Sequence, residues 1–223
     1  MLTEAGSPTP TRRSPSFRAQ GRFPTFSVDR SRSHWACVCD NGNCGENRGR
    51  YLDRAPRESL PLIEIRDKSG NRVLMRVQAN SLEAADLTGA RLAQAALARA
   101  VLTKIVLVQA DLVEANLAFS NLTRANLRAA NLVSADLHGA SLISATLAEA
   151  RLNGANLQNA CLFQADLTRA RLEQARLLGA DFSAARLTDA EFHGAWYDQS
   201  TRWPEGFDPV ARGAVLYERP SRS

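Results

Sequence analysis

From residue 80 to residue 199 the chain places a leucine at every fifth position, an alanine two residues before it, and polar side chains at most positions between. The stretch ADLVEANLAFSNLTRANLRAANLVSADLHGA, residues 110–140, is representative. An α-helix turns about 100° per residue, so a period of five rotates successive leucines by about 140° and scatters them around the cylinder. A flat strand alternates faces every second residue, so an odd period throws neighbouring leucines to opposite sides. Neither builds a buried face. The pattern predicts a chain that turns every five residues and offers each leucine to one interior from a new side, which is a solenoid.

Counted from Leu82 to Tyr197 there are 24 such units, with Leu at the centre of 21; Phe182, Phe192 and Tyr197 are the exceptions. The position two before the centre is Ala in 21 units, the exceptions being Asn80, Ile105 and Ser120. Between these two positions lies a residue that is often Asn or Asp, as at Asp86, Asn116, Asn131 and Asp136, types that tolerate turns and bond nearby backbone. The wealth of Ala, Leu, Arg and Glu alone would suggest helices; the period overrules it. In this register Leu87, Leu112, Leu132, Leu152, Leu167 and Phe182 belong to the core.

The units ADLTG (85–89), ANLRA (125–129) and ADLTR (165–169) resemble the pentapeptide-repeat family, whose signature is A-(D/N)-L-x-x. The resemblance covers residues 80–199. It implies an all-β fold, a right-handed quadrilateral β-helix in which four repeats make one coil. The central residue and the small residue point inward, and three positions face out. Twenty-four repeats then give about six coils. At the inter-strand spacing of about 4.8 Å the column is roughly 25–30 Å long. In residues 100–109, AVLTKIVLVQ, Ile105 takes the small slot and Val101 and Val106 the Asn/Asp slot, and a local bulge or distorted coil is expected there.

A solenoid has to cover its open ends. Residues 59–79 contain two apolar-alternating runs, Leu62–Ile65 and Val73–Val77, around a turn at Asp67–Asn71, which predicts a β-hairpin cap on the first coil. Residues 200–223 form the other end. Aromatic residues gather from Phe182 onward, and TRWPEGFDP (201–209) is similar to a terminal segment of many pentapeptide-repeat proteins, which implies a C-terminal cap. Residues 1–58 are rich in Ser, Pro, Arg and Gly, have no period, and are expected to be a disordered basic tail. Its Arg-rich, acid-poor make-up is like a transit peptide's, but Glu4 and the clustered Pro8, Pro10 and Pro15 argue against the amphipathic helix of one. Whether that tail belongs to the mature protein stays open. No apolar run reaches the roughly 18–20 residues of a membrane span, so no membrane partner is expected and the assigned location is the cytoplasm.

The net charge of +5 is unevenly distributed: residues 1–79 carry +6, the repeats −2 and residues 200–223 +1. Nucleic-acid attraction is therefore expected only through the tail. His34, Cys37, Cys39 and Cys44 make H-x2-C-x-C-x4-C, which lacks the paired C-x2-C spacing of closed zinc sites, so no metal is assigned. His138, His193 and Cys161 occupy outward slots, and no nucleophile, zinc-protease or phosphate-loop motif occurs. The expectation is a protein that is not an enzyme and needs no cofactor. With twenty residues per coil, Ile143 lies beneath Phe163 in one outward column, and Val106 and Val108 share the adjacent face. These four form the candidate protein-contact surface.

Function follows as a rigid protein–protein interaction scaffold with an unidentified partner, a homodimer being one form of such contact. The alternative comes from the resemblance, since some members of the family mimic B-form DNA and bind DNA gyrase or another type II topoisomerase. Mimicry needs a strongly negative surface. Arg151, Arg169, Arg171, Arg176 and Arg186 in the later repeats depart from it.

Overall fold

The computed structural model of the protein describes residues 60–218. From Leu87 the backbone runs as a regular succession of five-residue units, each a short bridge followed by a tight turn. The turn closes on itself: Ala90 N–H donates to Leu87 O at 3.1 Å, Ala115 N–H to Leu112 O at 3.0 Å, and Ala135 N–H to Leu132 O at 3.1 Å. The residue at each corner, two after the centre, has φ near +55 to +60°, as at Lys104 (59°), Arg124 (59°) and Ser134 (56°). This left-handed region disfavours β-branched side chains, and Gly, Asn, Gln, Ser, Ala, Arg and Glu fill most corners.

Parallel bridges join residues twenty apart, among them Asp111↔Asn131, Asn131↔Arg151 and Arg151↔Arg171. Four units therefore complete one circuit, and each circuit hydrogen-bonds to the next. Leu132 N–H donates to Arg151 O at 2.7 Å, and Arg151 N–H donates to Ala130 O at 2.9 Å. The result is a β-helix solenoid with four sides. Its first side is centred on Leu102, Leu122, Leu142 and Leu162, its second on Leu107, Leu127, Leu147 and Leu167. The third is centred on Leu112, Leu132, Leu152 and Leu172, the fourth on Leu117, Leu137, Leu157 and Leu177.

Inside, the centres and the small residues form one continuous core. Leu112, Leu132, Leu152, Leu167 and Phe182 are wholly buried, and Leu87 nearly so. The Asn and Asp side chains are partly sunk because they fold back on the following turn. Asn116 Oδ1 accepts from Ala118 N–H at 3.1 Å, and Asp136 Oδ1 from His138 N–H at 3.1 Å. That bond satisfies a backbone donor in the turn and orients the corner.

The bulge expected over residues 100–109 is absent. Val101↔Asn121 and Val106↔Asn126 keep the common register, and Ile105 is buried in the small slot. Ile105 stacks between Ala85 and Ala125, joined by Val106 N–H to Ala85 O and Asn126 N–H to Ile105 O. Small residues in the coils on both sides leave room for the larger one, so the coil has no need to swell. Ser120, the polar exception, is also buried, and its hydroxyl donates to Leu117 O at 2.7 Å.

Strands β1 (Leu62–Arg66) and β2 (Val73–Gln78) pair antiparallel with an irregularity between Ile65 and Arg66. The hairpin is tied to the solenoid by Lys68 N–H to Gln94 O and Ala96 N–H to Arg66 O, both 2.8 Å, and it buries Ile65 and Val77. At the other end Phe182, Phe192, Tyr197, Trp203 and Phe207 pack ring against ring, with Phe182 stacked on Trp203 at 5.0 Å. Beyond them β3 (Trp196–Tyr197) pairs in parallel with β4 (Val215–Leu216).

Candidate functional site

Ile143 and Phe163 stand in one column of the first side. Arg124 N–H donates to Ile143 O and Ser144 N–H to Phe163 O, each at 2.9 Å, so the two residues occupy the same slot of adjacent coils. Ile143 is half-buried and Phe163 exposed. Cys161, a free thiol, is half-buried beside them. Val106 and Val108 lie together on the second side, both half-buried. The structure thus places Ile143 with Phe163 and Val106 with Val108, but on two sides and in different coils.

Two further apolar side chains stand on or beside the first side, and neither belongs to the sequence-derived set. Val101 is 53% exposed and Phe119, at the corner between the fourth and first sides, 54%. The Phe119 ring is held in place. His138 meets it edge-on at 5.0 Å and the Arg99 guanidinium lies 5.9 Å from its centre. Gly139 sits beneath, where a Cβ would fall 2.7 Å from the ring. The signal for Phe119 was present in the sequence: it is a bulky aromatic in a corner slot that is otherwise polar or small.

Acid–base chemistry finds little to work with. His138 packs on Phe119, and His193 lies against Gly213. Among the described residues no three of His, Cys, Asp and Glu are grouped to hold a metal ion. His34, Cys37, Cys39 and Cys44 lie outside the described residues, as does the tail. A groove of about 760 Å³ opens between β2 and the first coil, lined by Met75, Val77, Ala85 and Leu87 with Glu83 and Asp86 at its edge. It is largely apolar, and Arg76, Glu83 and Asp86 are its charged lining residues.

The shifted aspartates are turn-builders, whereas Glu64 and, against burial, Glu173 are lowered chiefly by the arginines beside them. Burial alone would raise Asp198, but donors from Ser200, the Gly179 backbone and Thr201 outweigh it and hold the carboxyl below its ordinary 3.8. Asp166 and Asp181 are lowered in the same way against burial, by Thr168 and Ser183 respectively, and Asp86 is lowered chiefly by its Thr88 bond. A carboxylate held below its unfolded value stabilises the fold above that value and loses the effect as pH falls through the folded one. The melting temperature is therefore expected to be flat from about pH 7 to 5 and to drop below about pH 4. A melting temperature indifferent to acid would reject this role for the Asp turns.

Ion pairs bind the second and third sides across coils: Arg128–Glu149 at 3.0 Å, Arg186–Asp166 at 3.7 Å and Arg171–Glu191 at 3.3 Å. No helix among the described residues is long and apolar enough to cross a membrane.

The family model for pentapeptide repeats matches in 8 copies over residues 81–117, 110–147, 130–169 and 165–196. A search of curated proteins finds no match. Among solved structures, the chain is similar to alr5209, a pentapeptide repeat protein from Nostoc PCC 7120, at 36% identity over 46% of this chain and 84% of that one, with a TM-score of 0.45. It is also similar to HetL, a pentapeptide repeat protein involved in heterocyst differentiation regulation in Nostoc sp. strain PCC 7120. There the identity is 26% over 60% of this chain and 77% of that one, and the TM-score 0.27. QnrB1, a plasmid-mediated fluoroquinolone resistance protein, is 22% identical over 59% and 77% of the two chains, with a TM-score of 0.29. The family match runs through the whole stack of five-residue units, and the chain belongs to the pentapeptide-repeat family.

Proposed function

We propose that this protein is a non-enzymatic, cytoplasmic scaffold whose rigid sides present a surface to another protein. The observation that carries the reading is the column of Ile143 and Phe163, two large apolar side chains placed outward on a frame whose centre already has its leucines. Apolar pairs on an outer face are where protein contact gains most from desolvation. In finer detail the solenoid is right-handed with about six coils over residues 80–199. The hairpin of residues 59–79 caps the first coil, the aromatic cluster and residues 200–223 cap the last, and residues 1–58 are a basic tail. The backbone ties from Lys68 and Ala96, and the stack of Phe182 on Trp203, support the two caps.

The topoisomerase-mimic alternative needs a continuous anionic side. The solenoid alternates Arg with Asp and Glu on its second and third sides, which supports the scaffold reading over mimicry. The test is affinity capture from the source cell with the full chain as bait, beside a bait carrying Ile143→Ser and Phe163→Ser. A protein retained by the first and released by the second supports the scaffold. Retention of the same proteins by both baits would remove this column as the contact, and a type II topoisomerase among them would restore the alternative.

A further inference from the structure

The first side differs from the others in its charges. From Arg99 to Gln164, its outward and corner slots hold Arg99, Val101, Thr103, Lys104, Phe119, Asn121, Thr123, Arg124, and, further along, Ser141, Ile143, Cys161 and Phe163, with no carboxylate among them. The nearest acids on this side are Glu83 and Asp181, in the coils beyond either end. On the second and third sides Arg128, Arg169, Arg171 and Arg186 pair with acids of the same or a neighbouring coil, whereas Arg91 and Arg151 on the third side pair with none among the described residues. Arg99, Lys104 and Arg124 take part in no ion pair among the described residues.

The placement of these cations matters as much as their number. Lys104 N–H donates to Thr123 O and Arg124 N–H to Ile143 O, so Lys104 and Arg124 occupy the same corner of adjacent coils, about 4.8 Å apart at the backbone. Like charges stacked so closely repel. Arg99 stands on the opposite edge, over the Phe119 ring. Between the two edges run Val101, Ile143 and Phe163. The side is an apolar strip with cations on both borders.

We propose that this strip docks an acidic, extended segment of a partner protein, its apolar side chains on Phe119, Ile143 and Phe163 and its carboxylates at Arg99, Lys104 and Arg124. The proposal rests on the scaffold reading and names the chemistry of the partner. Charge complementarity selects this occupant. A second copy would bring the same three cations against themselves, and residues 1–59 of this chain carry an excess of arginine. A nucleic-acid strand would set its phosphates over the apolar centre, where no cation stands. Carboxylates spaced along an extended chain can reach both borders while alternate apolar side chains enter the strip.

The test selects from a displayed library of random twelve-residue peptides on the full chain, then measures the enriched peptides by fluorescence anisotropy. The expected consensus combines Asp or Glu with Phe, Leu or Ile. Its affinity is expected to fall more than tenfold with Lys104→Glu and Arg124→Glu together, and likewise with Ile143→Ser and Phe163→Ser. Gly139→Ala supplies a variant that leaves every charge in place. It pushes against the Phe119 ring, while Ala129, at φ 54° in a comparable corner, shows that alanine is accepted there; a loss of several-fold is expected. Enrichment of basic or uncharged peptides, or equal binding by the charge-reversed variant, overturns the proposal but leaves the scaffold reading. Tighter binding of an oligothymidylate than of any peptide overturns it in favour of nucleic acid. With no enrichment at all it fails, and the capture experiment then decides the scaffold separately.

Discussion

Leu132→Asp is expected to abolish the fold of the central coils. Leu132 has no exposed surface, and its neighbours along the third side, Leu112 and Leu152, are equally buried. A carboxylate placed there meets only hydrocarbon, and no cation or donor lies inside the column to pair with it. Burying an unpaired charge belongs to the short class of changes that cost more than about 4 kcal/mol. In a stacked array the damage is not local, because each coil is stable only through its neighbours. Loss of the central coils would cut the solenoid into two short arrays, each with a raw end. Thermal denaturation followed by circular dichroism should show the cooperative transition lost or much lowered. The comparison is Arg128→Ala. Arg128 is an exposed residue whose pair with Glu149 lies in water, and its removal is expected to change stability by no more than about 0.5 kcal/mol. An unchanged transition in Leu132→Asp would overturn the inward and outward assignment on which the rest depends.

Phe182→Ala is expected to act differently although its cost is comparable, about 3–5 kcal/mol for a buried phenylalanine. Phe182 is wholly buried, stacked on Trp203 and in edge contact with Phe192. It is the point where the leucine column gives way to the aromatic cluster. Its removal takes away one of the two rings stacked on Trp203, Phe207 being the other, and opens the bottom of the last coils. The middle of the stack keeps its own contacts, so the C-terminal coils should fray first and the rest should follow at higher temperature. Hydrogen exchange read along the chain checks this, with protection lost from about residue 180 onward and retained around Leu132. Uniform loss of protection would mean that the solenoid unfolds as a single unit and that the cluster does not act as a separate terminal device.

Most of the architecture was legible in the five-residue period, because burial in this fold depends on sequence position in the simplest way. Each leucine and each small residue meets the same environment, so one unit predicts the next, and the family resemblance added the number of units per turn. The hairpin was equally readable, since two alternating runs around Asp67–Asn71 have few other solutions. The bulge expected at residues 100–109 did not form. The period sees Ile105 as an oversized residue, whereas the structure sees a column in which Ala85 and Ala125 stand above and below it. Such compensation acts between residues twenty apart and is invisible to inspection of a single unit.

The surface was read less completely than the core. Ile143 and Phe163 emerged because they are large, apolar and twenty apart. Phe119 and Val101 sit in slots of different kinds, and nothing in the linear order places them near one another. Arg99, unlike Phe119, gave no signal of its own. Its relation to Phe119 exists only because a coil brings residue 99 back beside residue 119. The absence of carboxylates from the middle of one side, between Glu83 and Asp181, is a property of columns, and it appears only when the chain is sorted by side.

The bridges that join residues twenty apart impose an arithmetic on change. Adding or removing twenty residues inserts or deletes a storey and leaves every column above and below aligned. Adding five keeps each leucine inside and leaves the core indifferent, yet it turns everything downstream by a quarter of a circuit. The stretch bearing Phe163 would then face a different direction from the stretch bearing Phe119, and the exterior would be rewritten without a single substitution. For this protein, shape memory resides in the count of residues between two points as much as in their identity.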